Sequence, residues 1–152
     1  MPRALILAYG NPLRSDDGVA WRAAEALRQK FPPGEIEVAC RHQLAPELAE
    51  TVSRFQRVIF VDAASSPQGF PGEVRVEDLG RKGSTDSATY SHTLSPHAVL
   101  RLAETLYGAT PRAWSVTVTG QNFDHGEELS PAVAAALPDL VARIEELAGD
   151  PG

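Results

Sequence analysis

The chain is nearly devoid of lysine and of sulfur. Cys40 is its one cysteine, so an internal disulfide and a zinc site built on several thiolates are both excluded. Lysine occurs only at Lys30 and Lys82, and arginine carries the remaining positive charge. The formal net charge is −6. That excludes a general nucleic-acid binder, whose phosphate partners require a basic face, and it disfavours an anionic membrane surface. No apolar run reaches the roughly 18 residues of a membrane span. The opening MPRALILAYGN is interrupted too early to read as a signal peptide. Signature loops are missing as well. There is no G-x-G-x-x-G, no Walker lysine, no G-x-S-x-G elbow and no H-E-x-x-H. The expectation is one domain over residues 1–152 in a reduced, cytoplasmic setting, monomeric, with no nucleic acid and no membrane insertion.

What is present alternates. ALILAY (4–9) and RVIFVDA (57–63) are continuous apolar runs, the pattern of strands covered on both faces. EIEVAC (35–40) and AWSVTVTG (113–120) read as further strands, and GEVRVEDL (72–79) as an alternating edge strand. Helical spacing runs over 16–31. A second helix is predicted over 46–55 with Pro46 at its first position, and a third over 95–108 between Ser95 as N-cap and Gly108 as stop. The last helix, 130–149, opens on Ser130 and Pro131 in the same way, and Pro138 should kink or split it. Residues 80–94 are polar and unpatterned, so they read as a loop, and the tail GDPG reads as frayed. The resulting order, β-α-β-α-β-β-α-β-α, predicts an α/β fold: three layers, α/β/α, around a mostly parallel, roughly five-stranded twisted sheet.

Open sheets of this kind bind ligands at the carboxyl ends of their strands. The segments following the strands here are rich in titratable groups: Asp16, Asp17, His42, Asp62, His92, His97, Asp124 and His125. Carboxylates gathered at one edge repel each other unless a cation neutralises them. Carboxylate and imidazole donors together suit nickel or zinc better than calcium. Each residue also has an ordinary reading. Asp16 or Asp17 alone is a helix cap or a first-turn charge complementing the helix dipole. Asp62 can close a turn, and a lone histidine is usually a surface or core residue. Cys40 reads as a small buried hydrophobe, with a Cys–His nucleophile pair using His42 or His92 as the alternative. Gly10 and Gly18 would allow a sharp turn off the first strand and a close approach of the first helical turn.

Four blocks carry a resemblance: LAYGNPLRSDDGVA, VIFVDAA, SHTLSPHAVLRLAETLYG and GEELSPAVAAALPDLVARI. In this order they resemble the [NiFe]-hydrogenase maturation proteases, peptidases that trim the large subunit's C-terminus after nickel insertion. The resemblance implies Asp17, Asp62 and His92 as the metal-binding and catalytic residues. Asp16 is left as a capping residue or a support behind them. It implies nickel as the metal, presented by the hydrogenase large-subunit precursor, with zinc or cadmium able to substitute in a crystal. Hydrolysis would use water without a covalent intermediate, activated either by the metal or by an aspartate acting as base. A non-proteolytic nickel-binding assembly or chaperone module would use the same ligands. Many family members carry a DGG-like turn after the second strand, where this chain has CRHQLAPE (40–47). That departure implies a subgroup with a different target subunit.

Overall fold

The computed structural model describes residues 4–31, 34–65, 69–79 and 94–149. The segment 80–93 and the tail lie outside the described residues, and with them the predicted loop up to residue 93 and His92. The elements are β1 (Ala4–Tyr9), a 3-10 turn (Ser15–Gly18), α1 (Val19–Arg28), β2 (Ile36–Arg41), α2 (Leu48–Val52), β3 (Arg57–Ala64), β4 (Val74–Asp78), α3 (Pro96–Tyr107), β5 (Arg112–Thr119) and α4 (Pro131–Gly149). They form one five-stranded sheet in the order β2-β1-β3-β5-β4. All pairings are parallel except that of the edge strand β4 with β5. The predicted α/β architecture is the observed one.

The apolar runs are central strands because both of their faces are covered. Ala4, Ile6 and Ala8 of β1 join Ile59, Val61 and Val116 under α1 and α4. The alternate residues Leu5 and Leu7 join Val58, Phe60 and Ala113 under α2 and α3. Strand β1 is buried from Ala4 through Ala8, as a strand between two helical layers must be.

Three elements depart from the sequence reading. The helix expected over 16–31 begins as a 3-10 turn and becomes α-helical only at Val19. The helix expected over 46–55 is α-helical only over Leu48–Val52. Bonds from Leu48 N to Ala45 O and Ala49 N to Pro46 O (both 3.0 Å) tighten its start into an i→i−3 turn, so Pro46 precedes α2. Helix α4 is one element despite Pro138. Pro138 is exposed, while Val133, Leu140, Val141 and Ile144 are buried in the core on both sides of it. Packing therefore holds the two halves together, and the carbonyl that proline frees can face water.

Candidate active site at the switch point of the sheet

The chain leaves β1 for β2 on one side, then returns past β1 to β3 on the other. Helix α1 covers one face and α2 the opposite face. The carboxyl ends of β1 and β3 therefore border a crevice that neither helix fills, the expected ligand position in such a sheet.

Tyr9 ends β1, and Gly10 turns the chain away at φ 139°. A Cβ on Gly10 would run into the Asp17 carbonyl, and one on Gly18 would lie 2.8 Å from Pro12 Cα. The glycines let residues 10–18 fold back on themselves, as the sequence suggested. Within that loop Asn11 Oδ1 accepts from Leu13 N at 2.9 Å. The Asn11 backbone N–H donates to Asp17 Oδ2 at 2.8 Å, fixing the Asp17 carboxylate over the end of β1.

Asp62 lies two residues before the end of β3. The register that pairs Ala8 with Val61 sets Asp62 beside Tyr9, and the Tyr9 phenol donates to its carboxylate. Ala63 N donates to Asp62 Oδ1 at 2.7 Å. Burial and the Asp17 charge push the Asp62 carboxyl up to about 8, against the pull of the Ala63 and Tyr9 hydrogen bonds. Burial, then the Asp62 charge and the hydrogen bond to it, raises the Tyr9 phenol well above its usual value. Two carboxylates thus share a crevice in which both are not comfortably ionised together. A proton or a cation resolves the conflict, and oxygen donors of this kind suit a divalent metal.

Asp16 faces away from Asp17. It is fully buried and accepts from Gln121 N (2.8 Å), Asn122 N (2.9 Å), Ser130 N (2.7 Å) and Ser130 Oγ (2.9 Å). Burial would raise its carboxyl, but these bonds outweigh burial and hold it below the usual range. The Ser130 hydroxyl, read from sequence as an α4 cap, donates to Asp16.

The other candidates are dispersed. His42 is exposed and tilts against Trp21, with ring centroids 5.4 Å apart. His97 lies in the first turn of α3, and the Asp124 and His125 side chains are exposed. Cys40 Sγ lies 3.6 Å from the Arg28 guanidinium. Among the described residues no three His, Cys, Asp or Glu side chains group so as to hold a metal. Of the expected set Asp17, Asp62 and His92, the described residues bring the two aspartates together, and His92 lies outside them.

No family model matches the chain. The hydrogenase 2 maturation protease of Escherichia coli (strain K12) is 27% identical over 155 residues, spanning 95% of this chain and 92% of that protein. The structure of the [NiFe] hydrogenase maturation protease HybD from Thermococcus kodakarensis superposes with a TM-score of 0.71 at 26% identity, over 96% of this chain and 99% of that one. The hydrogenase maturating endopeptidase HybD from E. coli has the same fold, with a TM-score of 0.72 at 24% identity over 93% and 89% of the two chains. The chain is similar to the hydrogenase maturation proteases. That similarity holds in both sequence and fold and spans nearly the whole chain.

Two contributors to the crevice escaped the sequence reading. Tyr9 looked like the last apolar residue of a strand. Only the parallel register, which sets it beside Asp62, shows its hydroxyl to be part of the site. The Asn11 backbone N–H carries no side-chain signal at all.

Proposed function

We propose that the chain is an endopeptidase that removes the C-terminal extension of a [NiFe]-hydrogenase large-subunit precursor after nickel insertion. The observation that carries this reading is the meeting of Asp17 and Asp62 at the switch point, in a chain similar end to end to hydrogenase maturation proteases. Nickel is part of the substrate here, and with it bound the ion supplies charge to polarise a neighbouring carbonyl or water. Asp17, held by Asn11 N–H, and Asp62, held by Ala63 N–H and Tyr9, provide oriented carboxylate oxygens for that ion. His92 is the third donor by sequence resemblance. A precursor without nickel offers these groups nothing to grip, so cutting waits for metal insertion.

Asp62 suits a second task. A carboxylate whose conjugate acid titrates near neutrality takes a proton from water far better than an ordinary one does. Where an aspartate rather than the ion activates the water, Asp62 is that base during attack on the scissile carbonyl, with Asp17 as the fixed negative partner. The setting is cytoplasmic. Among the described residues no helix is long and apolar enough to cross a membrane.

Incubation with nickel-loaded precursor, followed by mass measurement, tests the proposal. The expected product is the precursor shortened at its C-terminus. Stable complex formation with unchanged mass would instead identify a nickel-binding assembly module. Asp17→Asn, Asp62→Asn and His92→Ala should each slow processing by about 10²-fold or more while leaving the fold intact. Processing at the native rate by all three variants would remove the site assignment. Cys40→Ser should retain full activity, since its thiol lies against Arg28.

A further inference from the structure

The Asp16–Asp17 pair divides its work, and the half that faces away from the crevice has a role of its own. Asp16 receives hydrogen bonds from both ends of the connection between β5 and α4: Gln121 N and Asn122 N at its start, Ser130 N and Oγ at its finish. Its own N–H donates to Asn122 O at 2.9 Å. One carboxylate, 0% exposed, therefore closes residues 121–130 of this connection into a ring against the turn that carries Asp17. With four donors on its two oxygens, Asp16 has little capacity left for a metal or a water.

The middle of the connection is fixed to the same turn by independent bonds. Ser15 N donates to Gly126 O at 2.8 Å, and Gly126 N donates to Leu13 O at 2.8 Å. Ser15 Oγ donates to Asp124 O at 2.7 Å, and Arg14 Nε donates to Phe123 O at 3.1 Å. Ser15 itself sits at φ 54°, a left-handed conformation that a side chain rarely adopts without such anchoring. The turn 13–17 is thus held in place by the far end of the sequence in addition to its local bonds.

We infer that Asp16 is a positioning residue, whose clamp on the 121–130 connection fixes the turn that aims Asp17 into the crevice. This rests on the peptidase reading above, because Asp17 is the group being aimed. Asp16 touches no substrate. It acts through Asp17, one peptide unit away. Displacing a catalytic group by about 1 Å costs on the order of 10²-fold in rate. A loosened clamp should therefore lower turnover much more than binding, which also draws on contacts elsewhere on the precursor.

The test compares wild type, Asp16→Asn and Ser130→Ala in steady-state processing of nickel-loaded precursor, at a temperature where thermal unfolding shows each variant folded. Asparagine keeps the size of aspartate but replaces one acceptor oxygen with a donor, so it cannot receive the same four bonds. The expected result for Asp16→Asn is a fall in kcat of about 10²-fold with KM within about twofold of wild type. Ser130→Ala, which removes one donor and leaves the carboxylate, should lower kcat by about three- to tenfold, again with KM held. A folded Asp16→Asn chain with wild-type kcat overturns the inference. If Asp16→Asn fails to fold, Ser130→Ala decides: a selective loss of kcat supports the clamp, and an unchanged kcat overturns it. A wild-type chain that leaves the precursor uncut overturns the peptidase reading, and the inference falls with it.

Discussion

Asp16 and Asp17 are neighbours in sequence with opposite surroundings. A 3-10 turn rotates successive side chains by about 120°, so Asp16 points into the 121–130 connection while Asp17 points over the end of β1. Composition alone does not separate the two. The resemblance favoured Asp17 as ligand, but the four donors on Asp16 were invisible because they come from residues more than a hundred positions away. Tyr9 was hidden for a related reason, since a tyrosine ending an apolar run has no partner until the register of β1 and β3 is known. Its hydrogen bond to Asp62 stabilises the charged carboxylate and so lowers the Asp62 pKa. Tyr9→Phe should therefore raise it. If Asp62 acts ionised, kcat/KM for processing increases with pH through a limb near 8, and in Tyr9→Phe that limb should move upward by about one pH unit. Measuring kcat/KM against pH for both proteins checks this. A limb that stays put or moves downward would show that Tyr9 does not act on Asp62.

At the scale of elements, local chemistry was legible where it acted within one turn. Helix α3 is the clearest case. Ser95 Oγ accepts from Ala98 N at 3.1 Å, Pro96 occupies the first turn, and Gly108 closes the helix at φ 66°, all as its sequence reads. Ser95→Ala removes the side-chain acceptor for Ala98 N. It should destabilise the protein by about 1 kcal/mol in chemical denaturation, with the m-value unchanged. Loss of activity without loss of stability would show that Ser95 does more than cap. Where tertiary contacts compete, local reading failed. Ser130 opens α4 in a similar pattern, and its hydroxyl also donates to Asp16, a contact that local reading does not supply. Pro138 has the chemistry to break α4, yet buried residues on both sides of it keep one helix. Pro46 precedes α2 because i→i−3 bonds tighten that segment before any α-helical turn forms.

At the scale of the molecule, the mostly parallel, layered architecture was implied by alternation, while the crevice required knowing the strand order, which sets β1 between β2 and β3. Two aspartates on either side of the Asp17 turn have opposite effects on stability. Asp16 titrates below its ordinary value when folded, so its contribution is present above the unfolded pKa and is lost as pH falls through the folded one. It therefore helps set the acid limit of the fold. Asp62 works in the other direction, with a folded value of about 8 against 3.8 for a free carboxyl. The folded state holds this proton more tightly than the unfolded chain. Its stabilising contribution is complete below the unfolded value and is lost as pH rises through about 8. Above about pH 8 the crevice thus carries an ionised carboxylate that burial and Asp17 both oppose, a cost that a bound cation would relieve. Asp62→Asn keeps an acceptor for Ala63 N–H and Tyr9 but cannot ionise. It should flatten the dependence of unfolding free energy on pH between about 5 and 8, and exceed wild type by about 1–3 kcal/mol above about pH 8. Denaturant titrations across this range, without metal, decide the point. An Asp62→Asn protein less stable than wild type at alkaline pH would mean that Asp62 supports the fold and is not a strained group held for function.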